Sequence, residues 1–152
     1  MAELYLDASD QIVGRMAARV AKRLLKGDTI FIVNAEHAVV SGDQQATFEL
    51  FRQKIARGDP YNGPFYPNAA DKILKRAVRG MLPKHSPRGR EALKRLKVFL
   101  SVPEEFKSKK FEKIKEAENT LNCKFTTLQR ITEVVSGRHL FPAGVQKAAP
   151  KN

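Results

Sequence analysis

Ile30-Phe31-Ile32-Val33 is an unbroken apolar run, and the segment before it is amphipathic with a period of about four. That order constrains the fold more than any other feature of the chain. A strand with one solvated face alternates apolar and polar residues. An unbroken run is expected where both faces are covered, as in a parallel sheet. Upstream, Ile12, Met16, Val20 and Leu24 recur every fourth residue between Gln11 and Lys26, with Val13, Ala17, Ala21 and Leu25 beside them. Arg15, Arg19, Lys22, Arg23 and Lys26 fall opposite, so the spacing predicts a helix with a buried stripe and a basic stripe. Ser9 or Asp10 can cap its start, and Gly27 suits a left-handed residue at its end. Glu3–Asp7, with Leu4 and Leu6 alternating, reads as a first strand. Strand, helix and strand then form a right-handed βαβ crossover. Gly14 lies in the first helical turn, at a cost of about 1 kcal/mol against Ala, which points to a close backbone approach there.

Further along, Ala38-Val39-Val40 reads as a short third strand and Ser41-Gly42-Asp43 as a turn. Gln44–Arg57 reads as a helix on Phe48, Phe51 and Ile55. Residues 58–68 hold three Pro and two Gly, a long loop with Tyr61, Phe65 and Tyr66 as apolar anchors. Lys97–Val102 reads as a strand ended by Pro103. Residues 104–124 turn rich in Lys and Glu, an extension with one helix. Thr126-Thr127-Leu128-Gln129 is a capping box before a short helix to Ser136, with Gly137 behind it. The tail 138–152 lacks periodicity and is expected to order only on a partner. The organisation expected is a core over 1–103, an extension over 104–137 and a tail over 138–152.

Between the long loop and the last core strand lies Lys72–Lys97, with ten Lys or Arg and one acid, Glu91. Ile73, Leu74, Ala77, Val78 and Met81 fall on one side of a helix, and Lys72, Lys75, Arg76 and Arg79 on the others. Pro83 is expected to stop that helix. A loop from Lys84 to Arg90 and a turn from Glu91 to Leu96 then lead into Val98-Phe99-Leu100. Neighbouring like charges at a surface cost about 0.3–1 kcal/mol each, a noticeable sum beside a stability of about 5–15 kcal/mol. A polyanion would remove that cost. The whole chain, at net charge +12 and pI ≈ 10.0 over 152 residues, points the same way, to nucleic acid. No run approaches the roughly twenty apolar residues of a membrane span, and the first residues lack a leader pattern. The single Cys123 fits a reducing cytoplasm. With no Trp and 8% aromatic residues, a broad base-stacking platform is not favoured.

Catalytic chemistry finds little support. The turn after the first strand, Ala8 to Gly14, carries neither glycine-rich phosphate fingerprint. His37, His85 and His139 are dispersed and Cys123 has no nearby thiol, so no metal set forms. His85, inside the cationic loop, fits a donor to phosphate or base. Asp7, Asp10, Glu36 and Asp43 stand near strand ends, where α/β enzymes keep their sites, and they also suit caps and turns. An enzyme acting on nucleic acid or a nucleotide at the sheet rim is therefore the alternative reading. A free-standing DNA-binding protein is a third.

Val13-Gly14-Arg15, Leu24-Leu25-Lys26-Gly27, Val33-Asn34-Ala35-Glu36, Ser41-Gly42, Gly63-Pro64-Phe65, Arg79-Gly80-Met81-Leu82-Pro83, Arg88-Gly89, Ala92-Leu93 and Leu96-Lys97-Val98-Phe99 occur in that order. Together they resemble the universal ribosomal protein thirteen family of the large subunit, in its archaeal or eukaryotic form. The resemblance is strong over Leu4–Pro103 and weak over Phe125–Gly137, and Arg79–Pro83 is its most specific word. Tyr66 and Asn68 stand where the family often has His and Arg, and Lys84-His85-Ser86-Pro87 replaces a denser basic pattern. The resemblance implies an α/β fold, three-layer α/β/α around a small, mainly parallel four-stranded sheet, with a C-terminal helical extension. It implies a structural, early-assembling constituent of the cytoplasmic ribosome that binds 23S-type rRNA and neighbouring ribosomal proteins. No catalysis, cofactor, metal, membrane or small-molecule substrate is implied. The residues expected to face rRNA are Arg15, Arg19, Lys22, Lys26, Lys72, Lys75, Arg76, Arg79, Gly80, Lys84, His85, Arg88, Gly89, Arg90 and Lys94. Gly80 and Gly89 would admit RNA close to the backbone.

Overall fold

The computed structural model describes residues 2–59 and 61–136. The expected crossover is its centre. Strands β1 (Glu3–Asp7) and β2 (Thr29–Val33) are parallel, with Tyr5 opposite Phe31 and Leu6 opposite Ile32, and helix α1 (Val13–Lys26) joins them. A 3-10 turn (Ala35–His37), β3 (Val39–Ser41), α2 (Gln44–Ala56), α3 (Ala70–Gly80), α4 (Pro87–Lys94) and β4 (Leu96–Val98) follow. β4 lies parallel to β2, giving the order β1-β2-β4. The mainly parallel α/β/α class holds, but the sheet has three strands. β3 pairs antiparallel with β5 (Phe125–Thr127) in a separate ribbon. Only three residues long, β3 is held at its start by the Val39 amide donating to the Gln11 carbonyl (2.8 Å), beside the first turn of α1 rather than at the sheet edge.

Side-chain alternation sorts the layers. Leu6, Ile30, Ile32 and Leu96 share one core with Met16, Val20 and Leu24 of α1 and Ile73, Leu74 and Val78 of α3. Tyr5 and Phe31 point to the other face, stacked at 5.0 Å between centroids. Phe106 tilts onto both rings, Phe99 meets Phe106, and Phe111 approaches Tyr5 edge-on. The layer over this second face is therefore built from residues 99–111, with a 3-10 turn at Glu104–Phe106 in place of an α-helix, while a second 3-10 turn at Lys115–Ala117 lies against α1. Glu112 also bonds along the outer edge of β1, donating to the Tyr5 carbonyl and accepting from the Asp7 amide. Helix α5 (Leu128–Ser136) adds Leu128 and Ile131 to the main core, as the turn at Lys115 adds Ala117.

Several boundaries differ from the sequence expectation. α1 begins at Val13, and neither Ser9 nor Asp10 caps it. The Ser9 hydroxyl donates to Asp7 instead, and the Ile12 amide is satisfied by the Ala117 carbonyl at 2.7 Å. Gly27, at φ 109°, ends α1 as expected. α3 stops at Gly80, short of Pro83, and Met81 is 45% exposed rather than on the buried side. Pro87, expected inside a loop, opens α4, because a proline at the first helical position lacks only an N–H that would be unpaired anyway. β4 is confined to Leu96–Val98. The cap of α5 is Thr127, whose hydroxyl accepts the Arg130 amide, while Thr126 is buried in β5 and Gln129 donates to Glu133. Of the long loop's three aromatic residues only Tyr66 packs on the core; Phe65 is 69% and Tyr61 90% exposed. Gly137, His139 and the tail lie outside the described residues.

Candidate nucleic-acid interface

α3 splits its sides cleanly. Ile73, Leu74 and Val78 are buried, while Lys72, Lys75, Arg76 and Arg79, spaced i, i+3, i+4 and i+7, line an open groove of about 420 Å³ with Phe65, Tyr66 and Leu93. The Arg76 guanidinium sits 4.3 Å from the Tyr66 ring centroid and donates to the Phe65 carbonyl at 3.0 Å. That contact fixes the loop against the helix. Burial raises the Tyr66 phenol above its ordinary value, more than Arg76 lowers it, so Tyr66 stays neutral. Around the C-terminal end of α3 a second hollow of about 270 Å³ brings Arg76, Arg79, Gly80 and Lys84 together. Lys84, His85, Arg90 and Lys94 are exposed along the connection and α4.

On α1, Arg15, Arg19 and Lys22 line a hollow of about 430 Å³ whose other wall is Glu116, and Arg19 forms an ion pair with Glu116. Lys26 is exposed one turn further on, outside that hollow. Among the described residues, none of the ten cations between Lys72 and Lys97 forms an ion pair.

Two expected contact residues, Arg88 and Gly89, also have internal work. Arg88 donates to the Leu25 carbonyl at 3.1 Å, and the neighbouring Arg95 to the Leu24 carbonyl at 3.0 Å. Both bond carbonyls of the last turn of α1, where a cation is favoured, Leu24 also accepting the Gly27 amide. Gly89 is buried, and a Cβ there would collide with the Pro83 carbonyl oxygen and stand 2.8 Å from its carbon. Its missing side chain is thus required by Pro83, not by an approaching RNA. Gly80 has nothing within 4 Å of a Cβ, and neither does Gly14, so the close approach expected at Gly14 is not made by this chain. Sequence reasoning missed Phe65, because an aromatic residue in a Pro/Gly-rich loop reads as an anchor. The signal available was the cationic helix beginning a few residues later.

The sheet rim is occupied by structural bonds. Asp7 Oδ1 accepts from the Ser9 amide, the Ser9 hydroxyl and the Asn34 amide group, and Lys113 lies 3.8 Å from Oδ2. Burial would raise this carboxyl, but those bonds and Lys113 together hold it below its ordinary value of 3.8. Glu36 is buried and raised by that burial, only partly offset by His37 at 3.4 Å. Neither residue lines any of the hollows above. Among the described residues no group of His, Cys, Asp or Glu could hold a metal ion, and no helix is long and apolar enough to cross a membrane.

Comparison with known proteins gives the family. The model of the family described as Ribosomal protein L13 matches residues 2–105. The chain is 44% identical over 136 residues to the large ribosomal subunit protein uL13 of Archaeoglobus fulgidus, covering 88% of this chain and 87% of that protein. It is 42% identical to the uL13 proteins of Picrophilus torridus (87% and 96% covered) and Methanosarcina barkeri (88% and 97% covered).

Proposed function

The chain belongs to the Ribosomal protein L13 family, and from that membership and its basic face we propose a structural constituent of the large ribosomal subunit that grips rRNA. It catalyses nothing and works within the ribosome beside neighbouring ribosomal proteins, supporting early subunit assembly. The observation that carries the RNA face is the set of ten cations between Lys72 and Lys97 without an ion pair among the described residues. Lys72, Lys75, Arg79, Lys84, Arg90 and Lys94, with His85, would meet phosphates from α3, the α3–α4 connection and α4. Arg15, Lys22 and Lys26 would do so from α1. Arg19 and Arg88 have one internal partner each and Arg76 has two, the Phe65 carbonyl and the Tyr66 ring, and all three keep guanidinium donors for RNA. Gly80 offers bare backbone, whereas Gly89 drops out as a contact. Such contacts fix position without reading sequence, and the shape and 2′-hydroxyls of folded RNA supply selectivity. All these residues lie within 1–103; beyond them, Phe106 and Phe111 cover the sheet behind the face, and Ala117, Leu128 and Ile131 complete the main core.

Titration of large-subunit rRNA fragments at several KCl concentrations tests the reading. Neutralising about six phosphates gives a slope of log K against log[salt] of about −4 to −5. A slope shallower than about −2 would remove the electrostatic face. Equal affinity for duplex DNA and structured RNA at one salt concentration would favour the DNA-binding alternative, and turnover of a nucleotide substrate the enzymatic one.

A further inference from the structure

Resting on the RNA face just described, we propose that the groove between the 61–67 loop and α3 holds one unpaired nucleotide, its base stacked on Phe65 and its phosphate on Lys72, Lys75 and Arg79. Phe65 is 69% exposed, yet the backbone that carries it is held in place. Its carbonyl accepts from Arg76. Gly63, at φ +76°, lies beneath its ring, where a Cβ would stand 3.2 Å from Cδ2. Behind Gly63 the loop is closed by paired bonds between the Asp59 and Gly63 backbones, at 3.0 and 3.3 Å. An exposed aromatic residue on a backbone held this way has less freedom to lose on stacking. Tyr66 is a poor candidate for the same role, because Arg76 covers its ring.

The groove volume of about 420 Å³ lies within the range of small-ligand sites. Among the described residues four cations and no acid line it, so its occupant is an anion with an apolar, planar part. A nucleotide of a bulge or loop has both; a paired one has its base inside the helix.

The test uses the full chain with two probes: a short single-stranded RNA carrying 2-aminopurine, and a fully paired RNA duplex with as many phosphates. Wild type is expected to change the 2-aminopurine emission on binding. Phe65→Ala should weaken the single strand about 5- to 150-fold, the range of base–aromatic stacking, abolish the emission change and leave duplex affinity unaltered. Phe65→Tyr should restore both single-strand signals. Arg79→Ala should weaken both probes, which reports on the RNA face itself. If Phe65→Ala changes neither probe, or weakens both equally, the stacking site is wrong while an Arg79→Ala loss keeps the face. If Arg79→Ala also changes nothing, face and subsite fall together. Melting temperatures within error of wild type for all three variants keep folding out of the comparison.

Discussion

Gly89 and Gly14 both lack a side chain, for opposite reasons. Against Gly89 stands the Pro83 carbonyl, with Pro83 Cγ at 3.1 Å, and backbone cannot yield cheaply. Gly89→Ala is expected to cost about 1–3 kcal/mol, the usual penalty of overpacking. That lowers the melting temperature by about 2–4 °C per kcal/mol, which a thermal scan reads directly. Gly14 has open space around it, so Gly14→Ala should add up to about 1 kcal/mol of helix propensity and raise the melting temperature accordingly. If RNA packs on that turn, the same variant should bind it more weakly. Asp7 sets a pH dependence. Its folded value is lowered, so its stabilisation is complete above its ordinary value of 3.8 and is lost as pH falls through the folded value. Asp7→Asn should lower stability at neutral pH and flatten the acid limb of a stability–pH profile. None of these roles was legible in sequence. A glycine reads the same whether it meets a proline or open solvent, and Asp7 reads as one more strand-end acid until Ser9 and Asn34 are placed around it.

At the scale of elements, α1 and α4 are tied by two arginines that the sequence shows only as charge. Arg95 is half-buried, and Arg95→Ala is expected to cost about 1.5–3 kcal/mol, the range for a hydrogen bond to a charged group. Arg88→Ala, at an exposed position, should cost less, about 0.5–1.5 kcal/mol. Denaturant midpoints at unchanged m-value would measure both. The sequence displayed α1, β1, β2 and the buried side of α3 because each owes its form to a repeating apolar pattern. It hid α4, whose eight residues contain only two apolar side chains of any size and open on a proline and a glycine that read as loop. β3 was read as a short strand, but its place was not: with three residues, it is decided by β5, more than eighty positions away. The ionic half of the candidate interface was plain from the run of Lys and Arg. Its aromatic half was not, since the exposure of Phe65 depends on how Gly63 turns the loop.

In the whole molecule, the covering segment decides what can stand alone. Ala117, Leu128 and Ile131 are fully buried in the same core as Leu6 and Met16, and Phe106 lies over Tyr5 and Phe31. A chain ending at Pro103 is therefore expected to lose its cooperative thermal transition, even though it keeps every strand of the parallel sheet. Its near-UV circular dichroism, sensitive to the packed aromatic rings, should collapse with it. The bonds from Tyr5 and Asp7 to Glu112 also have a consequence in time. The ribosome makes β1 first, and that strand's outer edge has no hydrogen-bonding neighbour until residue 112 has been added. At about 5–20 residues per second the wait is roughly 5–20 s. Throughout it an open strand edge, joined once Phe31 is made by two stacked rings, faces the crowded surroundings of a growing chain, which is the interval in which a chaperone has something to hold.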